Sequence, residues 1–190
     1  MSIKTIQDEK NTTYFITFTC HDWIPLIETS ESYNAFYTWF KNLNKHKIPL
    51  LAYVIMPNHF HGIIHIPLQS KHNINKIISN GKRFIAYEMI KSLQAKGCTK
   101  LLETLNKSLT KSEKAKNQRY KVFISSFDCK EIFSDDMFYT KLDYIHFNPV
   151  RGKWNLVEDY PLYKHSSAAF YENEIPDEHL THFSVIFGDV

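Results

Sequence analysis

The chain has 190 residues, 43% of them hydrophobic and 23% charged, the composition of an ordinary globular protein able to build a core within one domain over 1–190. No apolar run approaches the roughly 18–20 residues of a membrane span, and the opening MSIKTIQDEKNTTYF lacks the apolar stretch of a secretory signal. The formal charge of +3 hides a division: 71–121 carries 13 Lys and Arg against three acids, a net of +10, and the remainder carries 10 basic and 17 acidic residues, a net of −7.

In chain order, TYFITFTC (Thr13–Cys20) alternates and is rich in aromatic and β-branched residues, which predicts a strand. Ser30–Lys47 places Phe36, Phe40 and Leu43 at helical spacing, with Ser30 or Ser32 as its cap. PLLAYVIM is a strand that stops at the turn-forming pair Pro57-Asn58, and HFHGIIHI is the returning strand of a hairpin. NINKIISNGKRFIAYEMIKSL predicts a helix despite Gly81, with Gly97 as its stop. KLLETLNKSLTKSEKAKN is a second helix or one fading into a polar linker, and RYKVFISSFDCKEIFS has strand-like halves around a polar middle. SDDMFYTKLDYIHFN starts with Ser134 as N-cap and two acids in its first turn, and it ends before Pro149. The remainder is a polar tail with aromatic anchors. This order is not a regular βαβ alternation; it predicts an α+β fold, an antiparallel sheet with helices packed mainly on one face.

The basic block at 71–121 implies a polyanionic partner, although charge runs also serve as solvated helical faces. Three scattered cysteines, Cys20, Cys98 and Cys129, exclude a full disulfide framework and a Cys-x-x-Cys metal knuckle, and they suit structural thiols in a reducing cytoplasm.

The sharpest feature is His59-Phe60-His61 after Pro57-Asn58. On a strand, residues two apart share a face, so the two imidazoles stand side by side. They form a shared cation site or simply occupy a wet face. His65 has the same parity but lies about 13 Å from His61 at strand rise, too far for one ion, so it is assigned to structure. On the last helix Tyr144 and Asn148 are four apart and share a face. Taken alone, they are a buried phenol and a helix C-cap. His146 points away from that face, as a helix-end residue or phosphate contact.

MPNHFH followed by an apolar strand, and later YIHFNPVRGKW, resemble the paired signatures of single-tyrosine HUH (His–hydrophobic–His) transposases, and the REP-associated tyrosine transposase branch in particular. The resemblance runs from YFITFTC to YKHSSAAFY. It implies the ferredoxin-like or RRM-like HUH fold, with Mg²⁺ or Mn²⁺ held by His59, His61 and Asn148, the last standing where related enzymes use Gln. It implies Tyr144 as the nucleophile that cleaves single-stranded or hairpin DNA through a 5′-phosphotyrosine. It also implies DNA-backbone contacts from Lys82 and Arg83, in GKRFIAYEM, and from Arg151. Members of the family occur as homodimers that exchange the tyrosine helix and as monomers. VFISSFDCKEIFS departs from the family, which more often has a basic, tryptophan-containing segment there. Two other readings remain at this point: a hairpin-binding protein of the same fold without cleavage, and a zinc hydrolase in which His-x-His is completed by a third ligand. Imidazole ligation predicts that activity falls below about pH 6 as the rings protonate.

Overall fold

The alternation of Thr12–Thr19 and of His59–Ile66 organises the molecule. In the structure, a computed structural model that describes residues 11–188, these segments form strands β1 (Thr12–Thr19) and β3 (His59–Ile66) of a four-stranded antiparallel sheet. With β2 (Leu50–Ile55) and β4 (Asp128–Ile132) the strand order is β2-β3-β1-β4. The first ten residues, where most of the signal-free opening stretch falls, lie outside the described residues.

Each central strand sends its side chains to two apolar clusters. Tyr14, Ile16, Phe18, Phe60, Ile64 and Ile66 enter the larger one, whereas Phe15 and Ile63 enter the smaller one on the opposite face. The larger cluster is roofed by α2 (Tyr33–Lys45) and α3 (Ile74–Ala95). Phe36 and Phe40 of α2 meet Phe60 at ring-centroid distances of 5.7 and 6.0 Å. Two short helices, α4 (Thr99–Lys107) and α5 (Lys111–Ala115), continue the chain beyond α3. The opposite face receives α6 (Asp135–His146), whose Phe138, Leu142 and Ile145 join the smaller cluster. Ser134 caps α6 by accepting the Met137 N–H, and Asp135 and Asp136 lie in its first turn, where the helix dipole favours negative charge.

Helices thus cover one face more heavily than the other, as the α+β reading expects. A bulge adjusts the sheet's register: Leu50 pairs with Ile64 and Ala52 with Ile63, which leaves Leu51 as the extra residue. The rest of β2 then lies with Val54 opposite His61. The tail covers β2, one edge of the sheet. Ile55 N–H donates to the His165 carbonyl, Ser167 N–H to the Tyr53 carbonyl, and Tyr163 and Tyr171 donate their hydroxyls to Ile55 and Leu51. Pairing of this kind removes the open edge that invites association.

Local departures from the sequence reading have physical causes. A short helix, α1 (Leu26–Ser30), precedes α2 and was not expected. Ser30 therefore bonds back to the Leu26 carbonyl instead of capping α2, and Ser32 takes the cap position without a side-chain bond. The second basic helix divides into α4 and α5 because Thr110 and Glu113 form a capping box that restarts it. Of the two strand-like halves around Ser125, only the second is a strand; the first makes one bridge, Cys20 to Phe123. The β2–β3 turn is buried in contacts: the Pro57 carbonyl accepts from Ile27 and Glu28 N–H, and the Asn58 carbonyl from Cys20 N–H. Among the described residues no helix is long and apolar enough to cross a membrane.

Gly81 lies mid-helix because Trp39 occupies the space of a side chain; a Cβ there would stand 2.5 Å from the Trp39 ring. Ala favours a helix over Gly by about 1 kcal/mol, but overpacking against the Trp39 ring costs about 3 kcal/mol at the upper end, so Gly81→Ala should lower stability by about 2 kcal/mol in urea unfolding.

Candidate functional site

β3 and α6 bring the predicted residues together within one chain. The His59 and His61 ring centroids are 4.8 Å apart, and the Tyr144 ring stands 5.0 Å from His61, edge to face. Both imidazoles are buried, whereas Tyr144 is 42% exposed, so its phenol faces the opening and not the core. Phe15 supports the pair, stacked on His61 at 5.6 Å and edge-on to Tyr144 at 5.9 Å. Asn148 lies just beyond α6, where Phe147 is the C-cap and Asn148 opens the turn containing Pro149. It is therefore not the cap itself, and its Oδ1 sits 3.2 Å from His59 Nε2.

The hydrogen bonds around the imidazoles select their tautomers. Asn58 Nδ2 donates to the Trp23 carbonyl at 2.7 Å, which aims Asn58 Oδ1 at His59 Nδ1, also 2.7 Å away. Because that oxygen only accepts, His59 carries its proton on Nδ1 and presents a lone pair at Nε2 toward Asn148 Oδ1. His61 Nδ1 is 2.6 Å from Thr17 Oγ1, its cross-strand neighbour, and its Nε2 is buried without a hydrogen-bond partner. In the matching tautomer it too presents a lone pair.

With His61 Nδ1 donating to Thr17, the cleft gathers three acceptor atoms, His59 Nε2, His61 Nε2 and Asn148 Oδ1. Burial opposes protonating the two rings. It lowers the His59 pKa to about 4, against a raising effect of the Asn148 contact and with help from the Lys153 charge. His61 is held well below its ordinary value by burial, then by His59 and Lys141. A cation is what such a donor set lacks. The 3.2 Å between His59 Nε2 and Asn148 Oδ1 is near the roughly 3.0 Å between adjacent octahedral ligands about 2.1 Å from an ion. These residues fit a divalent ion. Among the described residues no group of three or more His, Cys, Asp or Glu is placed to hold a metal; the third side chain beside the two imidazoles is an amide. His65, assigned to structure, bonds to Thr13 Oγ1 through Nδ1 at 3.0 Å.

The imidazoles open into a cleft of about 790 Å³ whose lining includes Trp23, Tyr144, Asn148 and Trp154. Four cationic residues line it, Lys130, Lys141, Arg151 and Lys153, against the single acid Asp128. All four come from outside the basic block. The Lys141 ammonium stands 5.0 Å from the Phe15 centroid and 6.0 Å from that of Tyr144, and the Arg151 guanidinium lies 4.7 Å over Phe147.

Lys82 and Arg83 do not line the cleft. The Lys82 ammonium donates to the Ile124 and Ser126 carbonyls at 2.8 and 3.0 Å, and burial lowers its pKa to about 8. These bonds tie α3 to the segment before β4. Arg83 is exposed on α3 beside Asn80. Of the two readings of His146 the helix-end one holds, since it closes α6. It is buried, 3.0 Å from Ser167 Oγ, with a pKa lowered to about 4 by burial, so it joins α6 to the tail. Sequence reasoning missed Thr17, Asn58, Trp23, Lys130, Lys141 and Lys153. Strand alternation and the adjacency of Asn58 to His59 were the available signals for the first two.

This fold also occurs in a REP-associated tyrosine transposase whose structure was solved bound to a REP hairpin, with a TM-score of 0.60, 18% identity, and coverage of 93% of this chain and 89% of that one. The two chains share a fold. A protein of Deinococcus radiodurans R1 assigned as a transposase is similar at a TM-score of 0.45 and 12% identity, over 76% of this chain and 95% of its own. No protein-family profile and no curated protein matches the chain.

The lowered imidazole pKa values revise the expected loss below about pH 6: the rings stay neutral through that range, and protonation of His59 moves toward pH 4. In a histidine NMR titration of metal-free protein, the His59 resonance should have its midpoint near 4, not 6.5. Since the unfolded chain takes up a proton that the folded ring excludes, the stabilisation is complete above 6.5 and is lost as pH falls toward 4. The loss in that window should approach about 1.4 kcal/mol per pH unit for His59, read from urea midpoints. Asn58→Ala, which frees the His59 tautomer, should weaken Mn²⁺ binding about 10–100-fold by calorimetry, and Asn58→Asp, which keeps the acceptor, should retain most of it.

Proposed function

We propose that this chain is a divalent-metal-dependent DNA transposase, or nicking and joining enzyme, that cuts single-stranded or hairpin DNA with Tyr144. The observation that supports it most is the meeting in one cleft of an accessible phenol, two buried imidazoles and the Asn148 amide, with the Tyr144 and His61 rings 5.0 Å apart.

His59, His61 and Asn148 would hold Mg²⁺ or Mn²⁺. When bound, the ion supplies Lewis-acid polarisation of the scissile phosphate and holds it in place. Tyr144 Oη attacks phosphorus, the bond from phosphorus to the 3′ oxygen breaks, and the phenolic proton is released to solvent as the departing oxygen takes one up. The products are a 5′-phosphotyrosine and a free 3′-hydroxyl. Lys141, one turn before Tyr144 on α6, offsets negative charge that gathers on the attacking oxygen and the phosphate. Arg151 and Lys153 hold flanking phosphates at the other side of the cleft. Because the aryl phosphate ester keeps the energy of the broken bond, a second 3′-hydroxyl can reverse the step and join a new strand. Tyr144 reaches the imidazoles of its own chain, so one chain carries a complete set, and the proposed chemistry does not require the helix exchange of a homodimer.

Incubation with a labelled hairpin oligonucleotide and Mn²⁺ should give a protein–DNA adduct that survives a denaturing gel. Tyr144→Phe should give none. His59→Ala and His61→Ala should abolish the adduct and leave hairpin affinity within a few-fold of the unmodified chain. Hairpin binding with no adduct from the unmodified chain would favour the non-catalytic binding protein instead.

A further inference from the structure

We propose that the indole of Trp23 is a stacking platform for an unpaired nucleobase beside the phosphate held at His59 and His61. This deepens the nucleic-acid reading of the cleft and rests on it. Trp23 is 55% exposed, whereas Trp39 is buried in the larger cluster, so its ring is kept out of the core. The backbone that presents it is unusual: Asp22 and Trp23 are consecutive left-handed residues with φ of 49° and 58°. Such a conformation is disfavoured for a bulky side chain and persists only where surroundings hold it. They do so here. The Trp23 carbonyl accepts from Asn58 Nδ2 at 2.7 Å, and Trp23 N–H donates to the Cys20 carbonyl at 3.2 Å.

The same Asn58 amide accepts from His59 Nδ1, so one side chain holds both the imidazole and the backbone that presents the indole. The Trp23 and His59 ring centroids are 5.8 Å apart, with planes inclined at 68°. An aromatic ring at that distance from His59 lies about one nucleotide from a phosphate placed at the imidazole site. The cleft's cations, Lys153 and Arg151 among them, suit an anionic strand better than an apolar peptide. Stacking on an indole is tolerant of sequence, because every base has a π-face, but it requires a base whose face is not covered by a neighbour in a duplex. The substrate class that follows is a strand unpaired next to the cleaved phosphate.

The test uses the full chain carrying Tyr144→Phe, so that nothing is cut, with anisotropy of a labelled oligothymidylate and of an abasic oligomer of equal charge. Trp23→Ala should weaken oligothymidylate binding about 5- to 150-fold, and Trp23→Phe should restore most of it. The abasic oligomer should bind all variants alike. Unchanged oligothymidylate affinity, or equal loss on both probes, overturns the proposal. A second measurement keeps Trp23 intact: in protein labelled with 5-fluorotryptophan, its fluorine resonance should shift with oligothymidylate and not with the abasic oligomer, and an unmoved resonance also overturns it. Base-dependent binding through Trp23 without any tyrosine adduct would sink the cleavage reading and leave this one standing. An adduct from the intact chain with base binding indifferent to Trp23 would do the reverse.

Discussion

The pairing of β1 with β3 is the constraint on which the rest of the structure depends. Its register sets Thr17 opposite His61 and Thr13 opposite His65, so each imidazole has a hydroxyl within reach of Nδ1. The same register drives Phe18 and Phe60 into the larger core, stacked at 5.0 Å. A slip of one residue would exchange the two faces, with imidazoles among the helices and phenylalanines under α6. Folding the sheet correctly and assembling the ligand set are therefore one event. The bulge at Leu51 serves that register, since it allows the edge strand to cover the imidazole face with Val54.

Charge is arranged differently from its distribution along the chain. The basic block supplies α3, α4 and α5, on the opposite side of the sheet from α6, and its Lys82 holds the fold together. The cations around the imidazoles come instead from β4, α6 and the turn after it, segments whose overall balance is acidic. The cleft can thus be positive while the surrounding chain is not, which concentrates the field where a phosphate would sit. That field also helps to keep the imidazoles neutral, because Lys153 and Lys141 each act against protonation of the ring nearest to them.

Much of this was legible from residue order. Alternation located β1 and the parity of β3, an apolar run stopping at the proline–asparagine pair located β2 and the hairpin, and Ser134 located the start of α6. The parity of His59 with His61, and the four-residue step from Tyr144 to Asn148, were enough to expect two small constellations. Their meeting was a tertiary fact, carried by the resemblance and not by local pattern. The carbonyl bonds of Lys82 were hidden because a lysine bonded to a loop has the same local surroundings in sequence as a solvated one. His146 ends α6 as its helix-end reading has it, but its partner Ser167 lies in a tail with little periodicity. The first half of the segment before β4 has strand-forming residues but finds only the end of β1 to pair with, so its propensity goes unrealised.

The tip of a β-hairpin is ordinarily where related chains gain and lose residues without harm. The Pro57-Asn58 tip cannot serve that purpose. Its carbonyls anchor α1 and Cys20, and its asparagine amide is shared between an imidazole and the tryptophan backbone. One inserted residue would displace all of these attachments together, so natural length variation in this chain has to accumulate elsewhere, in stretches such as the exposed polar segment 116–119 that follows α5.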